Sequence, residues 1–294
     1  MNDAAGLIDP VDLALPDWPA GAPPLRLAHL SDLHVRGRVQ RRHLALGAAL
    51  RADPPDLICL TGDYMTNPGH EGAAYETLAR VLDGLRPGLG VFGVFGNHDS
   101  DALIERCGDL PVRWLRNEAV RVEHAGVEIE LSGLHIDKKR RPDGAELAAS
   151  MGAMRGEQEG LGDVMKSVRP SAHRISGDAV SGGRRFRLML AHLPMALPLA
   201  RDLGVDLLLS GHTHGGQIRL PGPRLLVNSC DMPLDKSTGV LRMGATMAAV
   251  SRGLGEVGLP MRLFCPAHCP VYTVTHGVAE GHAANQGLCS VRTW

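Results

Sequence analysis

Aromatic residues are scarce in this chain, with four Phe, three Trp and three Tyr making up 3% of 294 residues. A core must therefore be built from Leu, Val, Ala and Met. An excess of charge of one sign is also lacking: 31 Lys+Arg stand against 32 Asp+Glu, which argues against a general nucleic-acid-binding surface, so partners have to be argued locally. Nowhere do 18 consecutive apolar residues occur, so no membrane span is expected. The first residues, "MNDAAGLIDPVDLALPDWPAGAPP", carry acids where a signal peptide needs bases, which predicts a cytoplasmic protein. The six cysteines are scattered apart from Cys265 and Cys269, and such spacing describes no disulfide framework. "FCPAHC" could be a soft metal site, but without a second pair at a matching distance the expectation is free thiols near a sheet edge. Cys59, in "LICL", reads as a small core residue.

What is plentiful is Gly (36), Pro (20) and apolar residues (44%), enough for many turns and a substantial core. "LRLAHL" (25–30), "DLICL" (56–60) and "GVFGVF" (90–95) read as strands, separated by the helical patterns at 38–52 and 71–85; this alternation implies parallel βαβ units. Two alternating runs within 119–132 flank a hairpin at His124-Ala125-Gly126, so the sheet becomes mixed. "FRLMLA" (186–191) and "VDLLL" (205–209) resume the buried-strand pattern. The expected architecture is two facing mixed sheets flanked by helices in one domain. Its extent is 25–276, after an irregular leader (1–24) and before a tail (277–294). Residues 138–185 are polar, Gly-rich and net basic; a connection this long is expected to be a lid or recognition loop.

Each strong strand ends in polar residues that a purely structural chain does not need: Asp32 and His34, Asp63, Asn97-His98-Asp99, His192, and His212-Thr213-His214. Carboxyl ends of strands in an open α/β sheet are where ligands bind. The last of these, "SGHTHGGQ" (210–217), is the most pointed. In an extended backbone residues i and i+2 face the same side, so both imidazoles would aim at one crevice; two solvent-facing loop histidines remain the alternative. Singly, Asp63 could be a turn residue and His192 a core histidine. Together, Asp32, His34, Asp63, Asn97, His192, His212 and His214 are seven oxygen and imidazole donors with no thiolate. That is too many for one divalent ion and suits two sharing a carboxylate. The mix favours Mn, Fe, Zn or Co over Mg or Ca. Gly62, Gly96 and Gly211 precede donors where the chain must turn and another segment passes close.

The ordered set Asp32-x-His34, Gly62-Asp63, Gly96-Asn97-His98-Asp99, His192 and Gly211-His212-x-His214 resembles the calcineurin-like metallophosphoesterase superfamily over about residues 25–276. "SGHTHGGQIRLPG" and "VSRGLGEVGLPMRLF" are similar to its small bacterial single-domain, YkuE-like branch. The resemblance implies a four-layer α/β/β/α sandwich and two metals. Asp32, His34 and His214 would hold one, Asn97, His192 and His212 the other, with Asp63 bridging. His98 would be an unligated proton donor facing the substrate, its ring oriented by Asp99. A hydroxide bridging the metals would be the nucleophile.

The implied activity is hydrolysis of phosphate esters, with a phosphodiester or pyrophosphate preferred. The basis for that preference is Lys138-Lys139-Arg140-Arg141 beside the apolar stretch "RMGATMAAVSRGLGEVGLPMRLF", suited to a nucleotide or lipid phosphate and to peripheral contact at the inner membrane face. A phosphomonoesterase and a non-catalytic metal-bearing scaffold are the alternatives. Of the other histidines, His29 is expected to be a hydrogen-bonded core residue, and His43, His70, His124, His173, His276 and His282 to be solvated. His135 is a candidate for contact near the site. Arg252, in "RGLG", either touches phosphate or makes a structural pair.

Overall fold

In the strand Leu25–Leu30 (β2), Leu25 and Leu27 pack to one side while Ala28 and Leu30 pack to the other, and Leu57–Leu60 (β3) repeats this with Leu57 and Cys59 against Ile58 and Leu60. Strands apolar on both faces must be covered on both, and that requirement sets the layering. The computed structural model describes residues 6–135, 144–155, 185–221, 232–277 and 288–292. A six-stranded sheet has the order β1-β12-β2-β3-β4-β5, where β1 is Ile8–Leu15, β4 Val91–Gly93, β5 Arg113–Trp114 and β12 Cys269–His276. A seven-stranded sheet has the order β13-β10-β11-β9-β8-β7-β6, with β6 Glu118–His124, β7 Val127–Leu134, β8 Phe186–Ala191, β9 Leu207–Ser210, β10 Gly239–Met243, β11 Thr246–Val250 and β13 Leu288–Arg292.

Both sheets mix parallel and antiparallel pairs. The inner faces meet in one apolar cluster that includes Leu27, Leu57, Leu131, Leu188 and Leu209. Outside the first sheet lie α1 (Arg41–Ala52), α2 (Glu71–Leu82) and α3 (Asp101–Arg106); outside the second lie α4 (Gly144–Arg155) and α5 (Leu197–Asp202). The expected two facing mixed sheets with flanking helices are present. The hairpin is present too, its two turn residues Ala125 and Gly126 both at positive φ, the turn that matches strand twist.

Several expectations need correction. Residues 8–15 are not an irregular leader: β1 pairs in parallel with β12, burying Val11, Leu13 and Leu15 on alternate positions. Because β1 covers that edge, Cys269 begins an interior strand rather than lying at a sheet edge; Cys265 and Cys269 are free and buried. Within the tail, β13 pairs with β10. His43 is fully buried rather than solvated, since it shares the stripe His43, Leu46, Gly47, Leu50 on α1, the i, i+3, i+4, i+7 face of a packed helix. Of the 138–185 excursion only α4 and Arg185 are described. Residues 138–141, His173 and His282 lie outside the described residues. Among the described residues, no helix is long and apolar enough to cross a membrane.

Candidate metal centre

Within each sheet, main-chain bonds hold neighbouring strand ends together at the crevice. Asp32 N–H donates to Gly62 O (2.9 Å), His34 N–H to Asp63 O (3.0 Å), and Gly211 N–H to His192 O (3.1 Å). Such approach leaves no room for a Cβ: at Gly62 (φ +92°) it would strike the Gly96 backbone, and at Gly211 the side chains of Ser31 and Asp32.

Five of the seven expected donors stand in the left-handed backbone region: Asp32 (φ 52°), His34 (43°), Asp63 (56°), His212 (70°) and His214 (51°). Non-glycine residues take this conformation at a cost of about 1–3 kcal/mol each, and it clusters at functional sites. The extended geometry expected at His212-Thr213-His214 is therefore corrected. Thr213 is right-handed helical between two left-handed histidines, and the alternation swings the two rings to different neighbours.

Those neighbours form two groups of converging ligand atoms, Asp32 with His34 and His214, and Asp63 with His192 and His212. His34 Nε2 and His214 Nε2 are 3.0 Å apart; His192 Nε2 and His212 Nδ1 are 3.2 Å apart. Asp63 joins the groups. Its Oδ1 accepts the His98 backbone N–H (2.8 Å), while Oδ2 lies 3.5 Å from His34 Nε2 and 3.1 Å from His192 Nε2. Asn97 Oδ1 is buried and accepts no hydrogen bond. An orphaned amide oxygen and facing imidazole nitrogens fit divalent cations, whose ligands offer lone pairs.

The electrostatics agree. Burial, the largest influence, holds His34 and His214 down to about 3, so both rings keep the neutral form that ligation needs. Burial opposes charge on His192 as well, but the charge and hydrogen bond of Asp63 outweigh it and raise that ring to about 9. Burial likewise pushes Asp63 upward, and the adjacent histidines, His192 foremost, overcome it and draw its carboxyl well below the usual range. His192 Nδ1 contacts Thr61 O at 2.8 Å. Donation to that carbonyl turns Nε2 toward Asp63, whose carboxylate favours a proton there, and a divalent ion held by this group would have to displace that proton.

His98 stands beside the donors, its ring centroid 4.9 Å from that of His34. Its expected partner is corrected: Nδ1 meets the Thr66 carbonyl at 2.8 Å, not Asp99. The bond from Asp99 N–H to Gly96 O (3.3 Å) folds this turn so that the Asp99 carboxylate lies under the chain. There it accepts the amides of Tyr64 (2.8 Å), Gly96 (2.8 Å) and Asp63 (2.9 Å). Burial, then the Asp63 charge, raises Asp99 to about 7.

Sequence reasoning missed a buried chain of hydroxyls behind Asp32. His29 Nε2 meets Thr61 Oγ1 at 2.8 Å, Thr61 Oγ1 donates to Ser31 Oγ at 2.7 Å, and Ser31 Oγ donates to Asp32 Oδ2 at 2.5 Å. Its only sequence signal is a hydroxyl residue at each of two strand ends, Ser31 before Asp32 and Thr61 two before Asp63. His29 is hydrogen-bonded in the core as expected. Arg252 makes the structural pair, 3.6 Å from Asp9. His135 is half-buried at the end of β7.

A family model described as calcineurin-like phosphoesterase matches residues 25–216. The chain belongs to this family. The phosphoesterase is 27% identical over 250 residues to metallophosphoesterase YkoQ of Bacillus subtilis (81% of this chain, 79% of that protein). To metallophosphoesterase YkuE of the same organism it is 27% identical over 261 residues (87% and 81%). To phosphodiesterase YaeI of Escherichia coli it is 28% identical over 248 residues (83% and 80%). It is a metal-dependent phosphoester hydrolase of a family that uses a dinuclear centre, and its fold supplies two candidate ligand groups for one.

Proposed function

We propose that the enzyme cleaves phosphodiester or pyrophosphate bonds, with a nucleotide or lipid phosphate as substrate. Asp32, His34 and His214 hold one divalent ion, Asn97, His192 and His212 the other, and Asp63 is shared. The supporting observation is Asp63 itself: one oxygen is tied by the His98 amide while the other faces an imidazole from each group. A pair of Mn, Fe, Zn or Co ions at these imidazole, carboxylate and amide donors would acidify a water molecule and polarise a phosphoryl oxygen.

The remaining chemistry belongs to the chain. His98 has Nδ1 occupied by the Thr66 carbonyl, which holds the ring and leaves Nε2 as the atom that would pass a proton to the departing oxygen. Ser31 Oγ, which donates to Asp32 Oδ2 (2.5 Å), and the backbone N–H of His212, 3.0 and 3.1 Å from the two Asp32 carboxylate oxygens, orient that carboxylate. The diester preference draws on the likeness to a named phosphodiesterase. Measuring kcat/KM of the Mn²⁺-loaded protein on bis(nitrophenyl) phosphate, nitrophenyl phosphate and a dinucleoside pyrophosphate tests it. Higher kcat/KM on either of the first and third substrates than on the monoester is expected; the reverse order would assign a phosphomonoesterase.

A further inference from the structure

Between Gly255 and Cys265 the chain is folded inside out. Arg262 turns inward, donating to the carbonyls of Gly255, Arg252 (2.8 Å) and His214 (3.3 Å). The Gln217 amide accepts from Val257 N–H (2.8 Å) and donates to Val257 O (3.0 Å) and Leu259 O (2.9 Å); Arg36 donates to Glu256 O (3.1 Å) and Gly258 O (3.0 Å). With its polar groups satisfied on the inner side, the same loop exposes Leu259 (60%), Met261 (49%), Leu263 (42%) and Phe264 (57%), and the neighbouring segment adds Leu220 (46%). Phe264 is one of only four phenylalanines and stands at φ 51°, a backbone state that bulky residues rarely adopt. Five exposed large apolar side chains, four of them within residues 259–264 of one braced loop, mark an interaction site.

Its charge setting says with what. A cavity of about 740 Å³ opens between Pro260, on this loop, and Arg36, Arg38, Arg41 and Arg42. Arg42 is paired with Glu256 (2.7 Å). Arg38 and Arg41 are exposed and have no acidic partner among the described residues. Apolar tips beside unpaired guanidinium groups match a surface that is apolar below and anionic above, which is an anionic phospholipid bilayer.

We propose that this face docks the protein on such a bilayer, with Leu259, Met261 and Phe264 entering the acyl region and Arg38 and Arg41 meeting headgroup phosphates. The loop is braced against two of the site's segments, by the Arg262 bond to His214 and by Gly255 N–H to Asp32 O (2.6 Å), so docking sets the crevice beside the membrane. The strand β11 within the same apolar stretch of sequence is core and takes no part. The inference does not depend on which phosphoester is cut.

The test is co-sedimentation of the full-length protein with phosphatidylcholine vesicles with and without phosphatidylglycerol, at two salt concentrations. Phe264→Asn removes the ring while suiting the left-handed backbone; Leu259→Ser and the double substitution Arg38→Gln/Arg41→Gln complete the set. Binding to the anionic vesicles that weakens with salt is expected. Each apolar substitution should lower it roughly tenfold, and the arginine pair should remove the preference for anionic over neutral vesicles. Absence of vesicle binding at low salt, or equal binding by Phe264→Asn and the parent, would overturn the proposal. So would a dimer in solution that Phe264→Asn dissociates without any vesicle binding. Hydrolysis of a soluble ester should be unchanged in Phe264→Asn and Leu259→Ser, so docking and hydrolysis can fail separately.

Discussion

The carboxylate of Asp99 lies on the backbone amide of Asp63, 2.9 Å away, with the Tyr64 and Gly96 amides bonded to the same group at 2.8 Å. It therefore braces the turn that presents Asp63, and His98 takes its orientation from Thr66. Asp99→Asn would set an amide NH₂ against backbone donors, leaving at least one buried N–H unsatisfied at about 1–3 kcal/mol. We expect a lower urea midpoint and weaker metal retention, while the ratio of rates on good and poor leaving groups stays as in the parent. A changed ratio with unchanged stability would mean that Asp99 acts through the His98 ring after all.

His98 itself should separate binding from chemistry. His98→Ala is expected to keep its metal content, because no ligand group contains this ring, yet to lose roughly 10²–10⁴-fold in turnover of alkyl esters. Nitrophenyl esters, whose leaving oxygen needs little protonation, should lose less. Parallel losses on both substrates would argue for charge stabilisation, and a drop in metal content by elemental analysis would refute the unligated role.

Asp63→Asn removes the charge that both groups face. The expected cost to metal affinity exceeds the ~10–100-fold typical of partners that only orient ligands, and it should fall on both ions together. Calorimetric titration of the metal-free protein with Mn²⁺ reads this directly; two ions still bound tightly, with near-parental turnover, would sink the shared-ligand assignment.

Stability should fall on acidification, partly through histidines away from the ligand groups. Burial holds His29 and His43 down to about 3, so the folded rings stay neutral while the unfolded chain protonates them below an ordinary value of about 6.5. The unfolded state then binds more protons, and stability is lost as pH drops from about 6.5 toward 3. At pH 5 this amounts to about 2 kcal/mol per ring at about 1.36 kcal/mol per pH unit. Ligand histidines titrate as well, so the informative measurement is the difference between the parent and His43→Leu in urea midpoint at pH 7.5 and 5. The variant should lose less, and identical losses would mean that His43 takes up its proton equally in both states.

The sequence by itself determined the candidate donors and their place at strand ends. Asp32, Asp63, Asn97, His192, His212 and His214 each follow an apolar strand, because a strand buried on both faces can present polar groups only where it ends. Short, nearly continuous apolar runs announced the two-sided burial, and Ala125-Gly126 the hairpin. The burial of His43, which was expected to be solvated, was encoded in its helical spacing from Leu46 and Leu50.

Only the tertiary structure decided what those groups do to one another. His34 and His214 are 180 residues apart in the chain yet meet at 3.0 Å, and the left-handed backbone of five donors is imposed by strand ends from two sheets crowding one crevice. The same holds for Asp99, whose neighbour in sequence is His98 but whose partners include the Asp63 and Tyr64 amides on another strand end, and for β1, which becomes a strand because β12 offers it an edge. Leu259, Met261 and Phe264 look like core residues in the sequence. They face outward because Gln217 and Arg36, from distant parts of the chain, and Arg262, within the loop, hold its polar side against the candidate site, and no local pattern encodes the distant contacts.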